Sequence, residues 1–408
     1  MSVKMAIFII CCCMLLFCNK SEIIFINDEQ ELADVLEFKI SFGSELSGTN
    51  NDYLLVRPLD YRANENGDFL VPDEVKIKVF DTNGKEKKIF RRRGQGPGDF
   101  ESDPRPFLNS EGDVLVLTGS TSGSYYSLFT PDYGFIEKRK FINSQRLSEY
   151  INSIGFKKSN IITFFKAFPV SSTEIIYDVE LGSDEEIFFS LIYENTHSLK
   201  PLIHIKDPGS VKIPGLGYSS SGMLGKIYWN ILPDRRIVYI NTDEDYIDEQ
   251  KGSYYNIHVL NIDSLSDKQP SHRYTPVQTP ERYRNSQTQT EIPIPMPLNE
   301  LSRRTREMVA KRKYIPSVDH IQVDRHYLFV YLKYDYDNID SSKHIDIFDL
   351  NNYKYVNSIN YTNWPGIFQN GYVFKLKDDK NGFLEFRKYK INPTVYGLPE
   401  DPDWREKK

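Results

Sequence analysis

The chain has 408 residues, a formal net charge of −6 and a sequence pI near 5.8, so it carries no basic excess with which to displace counterions from a nucleic-acid backbone. Its 27 tyrosines and 25 phenylalanines, set among many Ile and Val, favour half-buried pleated surfaces over helices. All four cysteines fall between Cys11 and Cys18, which leaves the remaining ~390 residues without a thiol for disulfides, zinc sites or nucleophilic chemistry.

At the N-terminus, Lys4 precedes an unbroken apolar run, Met5 to Cys18, that stops at Asn19, Lys20, Ser21 and Glu22. This is the layout of a secretory signal. The run is about a third shorter than the ~20 apolar residues a membrane-spanning helix needs. Leu15, Leu16, Phe17 and Cys18 resemble the lipobox of bacterial lipoproteins, in which the cysteine is lipidated and becomes the mature N-terminus, with Phe17 standing where Gly, Ala or Ser is usual. The resemblance implies a lipoprotein-type signal over residues 1–18, lipidation at Cys18, the membrane as a partner through that anchor, and an address in the cell envelope. Residues 19–35 are expected as a linker or closing strand.

Strand signals begin at Asn66. The string NGDFLVPD and then IKVFDTNGKEKKIF read as a strand, a turn, a second strand, an Asn-Gly hairpin and a third strand. The pattern repeats through Leu115 to Leu117 and YYSLFTPDYGFIEKRKF from Tyr125. Gly67 to Gly112 is 45 residues, Gly84 to Gly134 is 50, and Phe80 to Phe129 is 49. Such a period is the mark of propeller blades, because one small sheet cannot bury both faces until neighbours stack on it. Weaker copies lie at Ile175–Tyr193, Arg236–Ile262, Ile321–Leu350 and Gly371–Ile391. The expected fold is therefore all-β, a propeller of six four-stranded antiparallel blades over residues 36–396.

Between the first two copies runs Arg91, Arg92, Arg93, Gly94, Gln95, Gly96, Pro97, Gly98, Asp99, Phe100. With the strand pair before it and GDVLVL after it, this string resembles the six-bladed β-propeller lipoproteins of Bacteroidota-type bacteria, relatives of the NHL-repeat propellers. The resemblance covers Asn66 to Gly134 closely and the rest in architecture. It implies a fold and an envelope address; most members of that family have no assigned activity. Read from the residues, Gly94, Gly96 and Gly98 supply backbone angles barred to side-chain-bearing residues, and Pro97 fixes an inter-blade turn. The functional rival is an anion site, with glycine amides and the three arginines cradling a phosphate or carboxylate. No Gly-Lys-Ser/Thr follows, so the string is not a P-loop.

From residue 264 to 317 the strand pattern breaks into an insertion. Ile292 to Pro297 reads as extended, polyproline-like chain, and one inserted helix follows over Leu301–Lys313, capped by Asn299 and ended by Pro316, with Leu301, Thr305 and Met308 on one face and a basic side that could meet anionic lipid or an acidic partner. Residues 397–408 read as a C-terminal tail, with Trp404 at an edge or in disorder.

The seven histidines lie too far apart for short ligand pairs, although His320, His326 and His344 belong to one blade. Asp243–Glu249 and the set Asp335, Asp337, Asp340 suggest calcium, but the EF-hand pattern needs Gly at position 340 and Glu at 346, where Asp340 and Asp346 stand. Gly217–Gly222 is not a nucleophile elbow, and a flexible loop accounts for it. Tyr125, Tyr126, Tyr254, Tyr255 and Trp364 offer stacking surfaces, though aromatics in propellers mostly pack between blades. No cofactor or metal is expected. The reading is a monomeric envelope binding or scaffolding module for a protein, peptide or glycan, without nucleic acid; the alternative is a metal-dependent enzyme of the NHL-lyase or lactonase kind.

Overall fold

The computed structural model describes residues 30–404, apart from 60, 65, 91–93, 95, 97, 101, 109–111, 119–124, 141–143, 157–160, 172, 184–185, 214–216, 285–295, 339–342 and 403. Within them, six antiparallel blades of four strands form a β-propeller, and a two-residue strand, Gln30–Glu31, adds in parallel to the outer edge of the fifth blade beside Ile359 and Asn360. Blade 1 is Arg62–Ala63, Phe69–Asp73, Lys76–Phe80 and Glu86–Phe90. Blade 2 is Arg105–Leu108, Val114–Thr118, Tyr125–Phe129 and Phe135–Lys140, and blade 3 is Ile161–Ser171, Glu174–Gly182, Ile187–Glu194 and Leu199–Lys206. Blade 4 is Ile227–Ile231, Arg236–Asn241, His258–Asn261 and Asp267–Lys268, and blade 5 is Val318–Asp324, Tyr327–Leu332, Lys343–Asp349 and Lys354–Tyr361. Blade 6 takes Ile367–Gln369, Tyr372–Asp378 and Leu384–Ile391 from the end of the domain and Leu36–Phe42 from its beginning. That last strand closes the ring, pairing Leu36 with Ile391 and Phe42 with Phe386.

A blade is stable only as part of the ring because its middle strands are apolar on both sides. In Tyr327–Leu332, Leu328 and Val330 join the core shared with blade 4, while Phe329 and Tyr331 join the core shared with blade 6. Each such side chain contributes ~1.5–3 kcal/mol when fully buried, and half of that burial vanishes if a neighbour is removed. The innermost strands are tied by side chains standing in for a ladder. Gln322 of blade 5 accepts from the Phe368 amide at 3.0 Å and donates to the Gly366 carbonyl at 3.1 Å, and Gln369 of blade 6 does the same to both backbone groups of Ala63 in blade 1.

The two faces of the ring are built differently. Turns from first to second and from third to fourth strand all have two to five residues. Every connection longer than five residues lies on the opposite face. That face also holds the strand pairs Ser210–Ile213 with Gly217–Ser220 and Ser253–Asn256 with Ser271–Tyr274, and the helices Ser144–Ser153 and Met296–Ala310.

Three features differ in detail from the sequence reading. The inserted helix runs Met296–Ala310, and a second, Ser144–Ser153, lies between blades 2 and 3. Its buried ridge is Thr305 and Val309, while Met308 is exposed, because four-residue spacing follows the helical repeat better than three on this face. Gly217–Gly222 is not a free loop: Gly217–Ser220 is a strand under that helix, joined by a 2.7 Å bond from Thr305 to the Ser219 hydroxyl. Trp404 is buried, held near blade 6 by a tail in which Lys390 pairs with Asp401 at 2.7 Å. Cys18 and the polyproline-like residues 292–295 lie outside the described residues.

Candidate binding face

The long-loop face gathers its chemistry where the first strands of blades 4, 5 and 6 begin. Asp319, at an irregular register near the start of blade 5, pairs with Lys333 at 2.6 Å, and Lys333 is 8% exposed. Two buried phenols flank this pair. Burial and then the Asp319 charge push up both Tyr228, from the innermost strand of blade 4, and Tyr361, from the outermost strand of blade 5. Beside Tyr361 stands Tyr331, whose rings meet edge to face at 5.8 Å. Tyr331 is fully buried, with its phenol raised by burial and by the nearby Tyr361 and Tyr61 oxygens, and among the described residues its hydroxyl has no partner. Tyr61, ahead of blade 1, donates to the Phe374 carbonyl at 2.8 Å.

Over Tyr331 lies Trp364, stacked at 5.4 Å with a 20° interplanar angle and 55% exposed. His320 touches both rings, at 5.4 and 5.5 Å. Further out, Lys343 stands 4.3 Å over the Tyr334 ring and 5.9 Å over Tyr361. The arrangement is an aromatic platform beside an ion pair whose lysine is buried and whose carboxylate is half-exposed, with hydroxyls drawn from different blades. Such convergence of a few polar groups among aromatics is what a small-ligand site needs.

The glycine string sits elsewhere. Arg91, Arg92, Arg93 and Pro97 lie outside the described residues. Gly98 has φ +77°, and the Gly96 amide donates to the Asp99 carboxylate at 3.2 Å. A Cβ on Gly94 or Gly96 would stand 2.5 or 2.8 Å from that same carboxylate oxygen. The glycines therefore make room for an anion supplied by the chain itself.

The histidines are dispersed. His258 is buried between Asp267 at 2.8 Å and Glu244 at 2.7 Å and stacks on Tyr239. His204 meets the Ser190 hydroxyl at 2.7 Å, but Ser190 is 1% exposed and closed to substrate. Burial lowers His272 to about 4 and raises Asp346 to about 6, so the 3.6 Å contact between them is not an ion pair at neutral pH. His320 lies at the mouth, whereas His326 belongs to a short turn on the other face. Among the described residues no three His, Cys, Asp or Glu side chains converge as a metal site would require.

The acidic strings are likewise spent on protein donors. Asp245 accepts from the Ser317 amide and hydroxyl at 2.8 and 2.9 Å, Glu249 holds Lys313 and Tyr314, and Asp337 accepts from the Glu281 amide at 2.7 Å. On the basic side of the inserted helix, Arg303 pairs with Glu300 and Glu307, and Arg304 with Glu300. Of the stacking candidates, Tyr126 and Tyr255 are core residues, and Trp364 is exposed. Sequence reasoning named Trp364 and missed Asp319, Lys333, Tyr228, Tyr331 and Tyr361. The available signal was the density of Tyr and charge over residues 327–336, at the end of an otherwise apolar strand.

The chain shows a low similarity to several solved propellers. The β-propeller domain of the Trilobed protease from Pyrococcus furiosus is 9% identical, with a TM-score of 0.35 over 82% of this chain and 93% of that one. The WD40 domain of SCAP from fission yeast is 7% identical, with a TM-score of 0.33 over 84% of each chain. The Nup133 β-propeller domain of Vanderwaltozyma polyspora is 10% identical at a TM-score of 0.30, and the match spans 53% of this chain and 63% of that domain. No family model and no curated protein matches the chain, which stands as a six-bladed β-propeller by its own sheet topology.

Proposed function

We propose that the chain is an exported, lipid-anchored envelope propeller of the NHL-like lipoprotein kind, acting as a binding module through its long-loop face. The observation that carries the binding role is the mouth over blades 4 to 6, where a half-exposed Asp319 paired to the buried Lys333 and the phenols Tyr228, Tyr331 and Tyr361 gather near an exposed indole. Rigid scaffolds with function concentrated on their loops are the ordinary economy of binding proteins. Export is supported by the apolar run Met5–Cys18, anchoring by the lipobox-like Leu15–Cys18, and family kinship by the string around Gly94–Phe100. Nothing in the geometry favours the metal-dependent enzyme.

Two measurements test this. Cells fed labelled palmitate should label the wild-type chain and not Cys18→Ala; label retained by the variant refutes anchoring at that cysteine. For binding, a thermal-shift screen of the full chain in detergent against envelope glycans, peptides and lipids should find a stabilising compound. Its effect should vanish in Lys333→Met and persist in Lys354→Ala, at the short-turn face. A shift that both variants keep, or no shift from any compound, refutes the role of this face.

A further inference from the structure

We propose that the mouth is a carbohydrate site, with Trp364 as the stacking platform and Asp319, Tyr331 and Tyr361 as partners for sugar hydroxyls; this deepens, and rests on, the reading of the long-loop face as the binding face.

The backbone that carries the platform is held in place before any ligand arrives. Trp364 belongs to the short link between blades 5 and 6, and the next residue, Pro365, is buried. Gly366 has φ +95° and passes so close to blade 6 that a Cβ there would meet the Phe374 carbonyl at 2.1 Å. Its own carbonyl is pinned by Gln322. One face of the indole is spent on Tyr331, so the exposure falls on the other side and edge, a flat apolar surface of the size a pyranose C–H face covers.

The polar groups around it suit hydroxyls. A sugar O–H both donates and accepts, and the mouth offers both functions. Asp319 gives one oxygen to Lys333, and among the described residues its second carries no hydrogen bond. The Tyr331 hydroxyl is buried with no partner among the described residues, a costly state that a water or a ligand hydroxyl relieves. Trp364 stacks on this ring, so a ligand hydroxyl reaches it when the indole turns on its fixed backbone.

Charge decides against the other common occupant of an aromatic cluster. A cationic ligand would seek the faces of Tyr334 and Tyr361, but Lys343 already stands over both. Lys333 is neutralised by Asp319, so the mouth presents no free fork for a phosphate either. A peptide would need an apolar groove or a free strand edge, and the first strands of blades 4, 5 and 6 lie side by side here. What remains is a largely neutral polyol with a flat apolar face.

The test is titration of the full chain in detergent with linear cello-, xylo-, manno-, malto- and chito-oligosaccharides, read by calorimetry and by fluorescence of its three tryptophans. At least one series should bind and change the emission. Trp364→Ala should weaken it roughly tenfold or more without lowering the melting temperature, Trp364→Phe should recover part of the loss, and Tyr331→Phe should weaken it several-fold. If no oligosaccharide binds, or if binding survives Trp364→Ala, the proposal is wrong. Should a peptide or lipid instead bind and lose its effect in Lys333→Met, the binding face stands and only the carbohydrate assignment falls.

Discussion

The two faces of this ring treat some of their buried carboxylates in opposite ways. On the short-turn face each acid is matched to donors. Glu174 accepts Arg235 in a bidentate grip, Arg235 reaches on to Asp263 at 3.0 Å, and the Arg235 guanidinium holds Glu174 down to about 2. On the long-loop face some acids are matched in the same way, Asp73 to Lys78 at 2.6 Å and to the Val56 and Arg57 amides, but others are not: burial lifts Glu180 to about 8 and, despite its Ser317 donors, Asp245 to about 7, and among the described residues the Tyr331 hydroxyl has no partner. The short-turn face spends Glu174 on stability, and the long-loop face keeps Glu180 and Asp245 perturbed. Perturbed groups of this second kind gather at functional sites.

The contrast is broken most severely at Asp324. This acid, 1% exposed in the short turn of blade 5, accepts from the Asn370 and Gly371 amides at 2.5 and 3.0 Å and from the Tyr396 hydroxyl at 2.6 Å. It therefore ties blade 5 to blade 6 and to the C-terminal turn. Asp324→Ala strands the buried Tyr396 hydroxyl and two part-buried amides, and is expected to cost about 2 kcal/mol or more in urea unfolding. A loss below about 1 kcal/mol would mean that water reaches these amides and that the face is less dry than its packing indicates.

Glu174 comes next. Its folded pKa lies below the ordinary value, so its contribution is full above about 4.5 and drains away as pH falls toward about 2. Glu174→Gln should cost about 1–2 kcal/mol at pH 7, discounted for partial exposure, and about a quarter of that near pH 2.5. Equal costs at both pH values would show that shape, not charge, holds the Arg235 cluster.

How much of this was legible follows from where each interaction sits in the chain. The blades were readable because strand, Asn-Gly turn and strand are local, so the 45 to 50 residue period survives in sequence. The innermost strands were harder. Arg62–Ala63 and Ile367–Gln369 are two or three residues long, and Gln322 and Gln369 join blades whose partners are remote or unpatterned. The closing strand Leu36–Phe42 pairs with residues some 350 positions away, a distance no local pattern encodes. The mouth was legible only as Trp364. Tyr331 and Lys333 look in sequence like strand filler, and their meaning depends on which blade lies opposite. The acid in the glycine turn was visible as Asp99, but that its carboxylate fills the cradle of Gly94 and Gly96 required coordinates.

The mildest test sharpens the contrast from the other side. Glu180 is half-buried between blades 3 and 4, and burial, then the charges of Asp207 and Asp178, raise it. Asp207 also shares a hydrogen bond with Glu180, which favours the protonated form, while it accepts from the Gly209 amide at 3.0 Å, and Asp178 accepts from the Trp229 indole at 2.8 Å. The folded state therefore binds a proton that the unfolded chain releases above about 4.5, and stability must fall as pH rises from about 4.5 to about 8 and then level. Glu180→Gln keeps the neutral shape and removes the charge. Melting curves should show the variant matching wild type near pH 4.5 and exceeding it by roughly 1–3 °C at pH 8.5, a modest gain because solvent screens a half-exposed group. A variant less stable than wild type at pH 8.5 would mean that the ionised carboxylate makes a favourable contact, and this acid would then belong with those of the short-turn face.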